Sequence, residues 1–110
     1  MSAKGHRTVS RSEYHDYMRS EKWQETRRRW FASKYKKICY VCGNRNGPFD
    51  LHHRTYKNLG NERLMDLVLV CRECHQLIHA MYDARPDKRD GMWQVTKKAR
   101  KKALARRKSR

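Results

Sequence analysis

Apolar and polar positions alternate along this chain in short helical and extended stretches, separated by polar intervals. Ser10-Arg-Ser-Glu13 fits a capping box, and Tyr14, Tyr17 and Met18 after it fall on one helical face. Ser20 with Glu21 signals a second helix start. Trp23, Trp30 and Phe31 give that helix, expected to run roughly fifteen residues, an apolar stripe opposite an arginine-rich face. In a chain poor in aliphatic residues the stripe reads as core, with stacking on bases as its other use. Arg27, Arg28 and Arg29 read equally well as a solvated face or as phosphate contacts. Phe49 to Arg54 and Leu67 to Val70 read as strands able to pair antiparallel. Asn58, Gly60 and Asn61 mark the connection between them as a loop. After Cys74 the spacing turns helical again, with Leu77, Ile78, Met81 and Tyr82 apolar, and Pro86 and Asp90-Gly91 end the element. Met92, Trp93 and Val95 are expected to dock back on the body, with Trp93 as the packing anchor.

Size and charge narrow the picture. The 110 residues suffice for one small domain with little core, so a structural metal is the expected support. Lys and Arg number 28 against 11 acids, a formal +17. That excess implies a polyanionic partner, and nucleic acid is preferred because the basic stretches lack the broad apolar face of a membrane-surface helix. No run is apolar enough for a signal peptide or a membrane span. From Lys97 to Arg110, nine of fourteen residues are basic and none is acidic. This tail is expected to be largely disordered without a partner and to fold along a phosphate backbone. Residues 1–9 are expected to form a disordered arm, 10–36 the N-terminal helices, 37–84 a module that holds the cysteines and the paired histidines, and 85–110 a basic extension.

The chemistry-bearing residues cluster between positions 39 and 79, which hold all four cysteines and four of the six histidines. In Cys39-Tyr-Val-Cys42-Gly43 a glycine follows a C-x-x-C pair, as a tight thiolate-bearing turn requires, because glycine accepts positive φ. Cys71-Arg-Glu-Cys74 supplies the matching pair, giving a closed tetrahedral zinc site. Two such pairs without an export signal point to metal ligands in a reducing compartment rather than to disulfides. His52 lies on the first strand, while His75 and His79, four apart, share a helical face. Strand, strand and helix then form a ββα unit around one ion held by His52, His75 and His79, with coordination positions left open as catalysis requires. His53 points to the opposite side of its strand, free to act as general base. A mixed finger using Cys39, Cys42, His75 and His79 is disfavoured, since 32 residues separate Cys42 from His75 and a cysteine pair would go unused.

Taken together, these motifs resemble the HNH endonucleases, specifically the small four-cysteine kind common in bacteriophages and mobile elements. The resemblance runs from about Tyr14 to His79 and includes Tyr14-His-Asp-Tyr17, Ser20-Glu-Lys-Trp23, Arg27, the two cysteine pairs, His52-His53, Gly60-x-Glu62, Asp66-Leu67 and Cys74-His75-x-x-x-His79. It implies an α+β fold: a small zinc-stabilised domain with N-terminal helices and a ββα-metal motif. It also implies a metal-dependent phosphodiesterase acting on DNA, with His53 as general base, a catalytic Mg, Mn, Ni or Zn ion on His52, His75 and His79, and structural zinc on the cysteines. Asp66 takes the place of the family's middle asparagine, which braces the loop carrying the base; an aspartate accepts hydrogen bonds but cannot donate as an amide does. Metal approach or orientation of a histidine are its alternatives. Arg54, Arg63 and Arg72 near the motif, and Lys97, Lys98, Arg100, Lys101 and Lys102 in the tail, are the candidate phosphate contacts. The resemblance implies backbone contacts in the DNA minor groove, a monomer or weak dimer, no membrane association, and residence in the cytoplasm, that of a bacterial host if phage-encoded. The competing reading is a non-catalytic zinc-ribbon nucleic-acid binder, which would have no need of a histidine quartet.

Overall fold

The computed structural model describes residues 9–85 and 91–108, with side chains to residue 106. Helices α1 (Arg11–Met18) and α2 (Glu21–Phe31) precede strand β1 (Phe49–His53). A 3-10 turn (Leu64–Asp66) leads into strand β2 (Leu67–Cys71), followed by helices α3 (Arg72–Ala84) and α4 (Met92–Lys108). The fold is α+β, as expected, and β1–β2–α3 is the ββα unit. The expected disordered arm lies, but for Val9, outside the described residues, as do Pro86 and Asp90.

Both N-terminal helices start where their capping residues predict. Ser10 and Glu13 form the reciprocal box, and Ser20 Oγ accepts from Trp23 N at 3.1 Å. The second helix is shorter than expected, closing at Phe31. Trp23, Thr26 and Trp30 form its buried face, while Phe31 is exposed, its ring 5.7 Å from the Arg27 guanidinium.

The two strands pair antiparallel with His52 opposite Val68 and His53 opposite Leu67. Because side chains alternate between faces, this register separates the two histidines. On one face Leu51, Leu67 and Leu69 pack with Trp23 and Trp30. On the other, Val70 joins Ile78 of α3 and Met92, Val95 and Ala99 of α4. The sheet is thus sandwiched between two helical layers.

The C-terminal segment differs from the expected disordered tail. Met92, Val95, Thr96 and Ala99 are buried, a stripe at helical spacing that carries α4 past Lys97 to Lys108. The charge density of this stretch conceals a narrow face of small residues, and Ala99, fully buried, lets α4 approach α3 closely. Met92 and Val95 are the buried anchors; Trp93 is half-buried against Tyr40. Among the described residues no helix is long and apolar enough to cross a membrane.

Candidate functional site

Among the described residues, two clusters of side chains could hold a metal ion. The first is Cys39, Cys42, Cys71 and Cys74, none of them in a disulfide. Gly43 takes φ 79° and gives its N–H to Cys39 O at 3.0 Å, while Cys42 N–H points at Cys39 Sγ at 3.4 Å. That is the tight turn its sequence predicts. A bond from Tyr40 N–H to Leu69 O, 2.8 Å, ties this turn to β2. Cys71 ends β2 and Cys74 sits in the first turn of α3. The sulfurs of Cys42 and Cys71 are 3.8 Å apart. A tetrahedral zinc with Zn–S of about 2.3 Å sets its sulfurs about 3.8 Å apart, so the cluster fits the ion. Burial pushes the Cys42 and Cys74 thiols up, whereas at Cys39 backbone N–H groups outweigh burial and draw the thiol down. A cation bound among the sulfurs would favour the thiolate forms that burial opposes at Cys42 and Cys74.

The second cluster is His52, His75 and His79, whose nitrogens lie within 4.8 Å of one another. His75 Nε2 and His79 Nε2 are 3.2 Å apart, close to the roughly 3.4 Å that a tetrahedral ion imposes at a Zn–N distance of about 2.0–2.1 Å. Burial, then the neighbouring imidazoles, lower His52 to about 3, and burial and His75 lower His79. These rings hold their lone pairs at neutral pH, as metal ligands must.

His52 and His75 each have a partner for the ring nitrogen turned away from the cluster. His75 Nδ1 meets Asp50 Oδ2 at 3.2 Å. His52 Nε2 meets Thr96 Oγ1 at 2.9 Å, and Thr96 Oγ1 donates to Met92 O at 2.8 Å. A hydroxyl carries one proton, so with that proton given to Met92 the oxygen accepts from His52. The network therefore assigns His52 the Nε2–H tautomer and leaves the lone pair on Nδ1. Partners of this kind orient metal-binding imidazoles. Sequence reading missed both Asp50 and Thr96. Asp50 had a local signal, two positions before His52 and so on the same strand face, whereas Thr96 had none.

His53 lies on the opposite face, 2% exposed, stacked on Trp23 at 5.1 Å and edged by Tyr14. Its Nε2 bonds Glu62 Oε2 at 2.8 Å, and Glu62 Oε1 accepts from Tyr17 Oη at 2.5 Å. Burial would raise the Glu62 carboxyl, but the bonds from His53 and Tyr17 prevail and hold it below its ordinary value. Glu62, ionised, accepts a hydrogen bond from the Nε2–H of His53, which leaves the ring's lone pair on Nδ1. In the sequence Glu62 is marked only by the Gly60-x-Glu62 motif.

Asp66 has its hydrogen-bond partners in the loop rather than among the imidazoles. Its Oδ2 accepts from Asn58 Nδ2 and Arg63 N, each at 2.9 Å, and its backbone oxygen takes Arg54 N–H at 2.7 Å, immediately after His53. Burial is again outweighed, and these donors hold its carboxyl below the usual range. Arg63 also pairs with Asp66, Arg72 pairs with Asp50 at 3.3 Å, and Arg54 lies 4.2 Å over Trp93 while bonding Met65 O. Lys97, Lys98, Arg100, Lys101 and Lys102 stand on the exposed side of α4. A cleft of about 270 Å³, lined among others by Tyr14, Trp23, Arg27, Asp50 and His75, opens between the N-terminal helices and α3.

Comparison with protein-family models, with curated proteins and with solved structures finds no match to this chain.

Proposed function

We propose that this protein is a metal-dependent DNA endonuclease of the HNH kind, hydrolysing phosphodiester bonds by nicking or by cutting both strands. The observation that carries the reading is the division of labour across one strand. His52 joins His75 and His79 in a ligand set on one face, and His53, one residue on, is held by Glu62 on the other. A zinc-binding domain with no catalytic task has no use for that second, separately oriented imidazole. The four cysteines hold structural zinc. His52, His75 and His79 hold the catalytic ion, Mg, Mn, Ni or Zn, which supplies Lewis acidity toward the phosphate and the leaving oxygen.

The chain's own residues do the rest. Glu62 fixes the ring of His53, so that Nδ1 accepts the proton of the attacking water. Tyr17 fixes Glu62 in turn. Asp66 holds the loop that follows His53 and acts as a bracing residue. Substrate phosphate enters by the cleft over His75, where Arg27 supplies a cation. Docking there moves Trp23 or Tyr14 aside to admit water to His53. Arg54, Arg63 and Arg72 with the lysines and arginines of α4 hold the DNA backbone, with the ββα unit in the minor groove. In this reading residues 10–36 roof the base, 37–84 carry zinc and chemistry, and 85–110 grip DNA. The protein acts as a monomer or weak dimer in the cytoplasm, that of a bacterial host if it is carried by a phage.

A second reading, a non-catalytic zinc-bearing nucleic-acid binder, is favoured by the near-complete burial of His53. Supercoiled plasmid incubated with zinc-loaded protein and Mg, Mn, Ni or Zn ions separates the two. The nuclease reading expects nicking that His53→Ala abolishes with structural zinc retained. Tight, salt-sensitive binding without cleavage under any ion would establish the binder.

A further inference from the structure

A second cleft, of about 490 Å³ and lined by no histidine, lies between the first cysteine turn, the end of α2, the outer edge of β2 and α4. Its cationic lining is Lys36, Arg45, Arg54 and Arg100, and among the described residues no carboxylate lines it. Its apolar lining is equally distinctive. Of the five large apolar side chains that stand exposed among the described residues, Tyr35, Met65 and Leu104 converge here. Tyr35, 46% exposed, stacks on Trp30 with ring centres 5.6 Å apart and planes 8° from parallel. Its outer face is a platform. Across the cleft the Arg100 guanidinium lies 4.8 Å over the ring of Tyr40. Trp30 lines the same wall, and its buried indole N–H has no partner among the described residues.

Flat aromatic faces ringed by guanidinium and ammonium groups, with no competing anion, suit a ligand that is itself a flat ring joined to a phosphate. A continuous duplex keeps its bases stacked inside and cannot offer one to Tyr35. An unpaired nucleotide can, and its volume falls within a cleft of this size, at the lower end of the roughly 300–1,000 Å³ usual for small-ligand sites. We propose that this cleft binds an unpaired nucleotide of the DNA strand, with the base on Tyr35 and the phosphate among Lys36, Arg45 and Arg100. The inference rests on the DNA-binding part of the proposed function and not on its catalytic part. It makes the preferred substrate a duplex with a single-stranded extension or junction. β1, which carries the histidines, is separated from the cleft wall by only the width of β2, about 4.8 Å. Unpaired DNA held here leaves the adjoining duplex beside the metal site.

Fluorescence anisotropy of the full, zinc-loaded chain without added catalytic ion tests this. The probes are a blunt duplex and the same duplex with a short unpaired extension. The extension is expected to tighten binding about tenfold. Tyr35→Ala should remove that margin and leave blunt-duplex affinity and zinc content unchanged, while Tyr35→Phe keeps it. Equal affinity of the wild type for both probes, or a margin that survives Tyr35→Ala, would overturn the proposal. So would a dimer that Tyr35→Ala dissociates in sedimentation, which would give the cleft to a second copy of the chain. Absence of plasmid nicking with the margin intact defeats only the nuclease reading; nicking without a margin defeats only this one.

Discussion

Thr96→Val removes a single oxygen from a fully buried side chain and, by the hydrogen-bond network, should weaken the histidine cluster without touching the cysteines. In the wild type the His52 Nε2–H gives its proton to Thr96 Oγ1 at 2.9 Å. Valine offers no acceptor, so a buried N–H is left unsatisfied, a cost of about 1–3 kcal/mol to the folded protein. The Met92 carbonyl should suffer less, because the backbone N–H four residues on in α4 remains its helical donor. Loss of the oxygen also frees His52 to adopt the other tautomer, in which Nδ1 carries the proton and cannot bind an ion. Outer partners of metal-bound histidines are worth roughly ten- to a hundredfold in affinity. Calorimetric titration of zinc-loaded protein with Mn, Co or Ni ions should therefore show an affinity lower by about that factor in Thr96→Val, with tightly held zinc unchanged and Thr96→Ser close to wild type. Equal affinities for wild type and Thr96→Val, or failure of serine to restore binding, would refute the tautomer assignment and the part given to α4.

Three further outcomes follow from the same contacts. Glu62→Gln keeps the shape of the His53 partner but removes its charge and offers Tyr17 a poorer acceptor; initial-rate measurements on a metal-saturated duplex should show turnover reduced about ten- to a hundredfold with little change in KM. A KM change alone would count against the positioning role. Asp66→Asn should lower stability by about 1–2 kcal/mol in denaturant titration at neutral pH, because Asn58 and Arg63 lose an ionised acceptor. As the folded Asp66 carboxyl is depressed, its contribution is present above the ordinary aspartate range and lost as pH falls through the depressed value, so the variant should show a shallower acid limb than wild type. Ala99→Leu overfills the contact between α4 and α3 and should cost about 1–3 kcal/mol, seen as a lower thermal midpoint with α4 amides losing hydrogen-exchange protection first. A neutral result would mean that α4 packs loosely.

Local features were legible in the sequence, and distant ones were not. Ser10 and Ser20 announced their helices because capping acts within one turn. The hairpin and the cysteine turn followed from period-two patterning and from one glycine, and once the strands pair in register the separation of His52 from His53 is geometry. Thr96 is 44 residues from His52 and Asp50 is 25 from His75, contacts made by the packing of whole elements rather than by any motif. The packed helix of the tail is hidden in the sequence for a related reason. Its lysines and arginines dominate the composition, while a stripe as narrow as Val95, Thr96 and Ala99 holds it down only because α3 presents Ile78 to it. The resemblance left the role of Asp66 open, and its hydrogen bonds to Asn58 and Arg63 emerge only in the folded loop.

On this reading one chain holds two ions of different kinds, one in a closed thiolate site and one in an open imidazole site across β1 from His53. Absorption spectroscopy during titration of the zinc-loaded protein with Co ions tests it most directly. One zinc should be retained per chain and one further ion bound, whose spectrum shows nitrogen and oxygen ligation without sulfur-to-metal charge transfer and which is lost in His79→Ala. A single ion per chain, or a second ion with a thiolate signature, would contradict it.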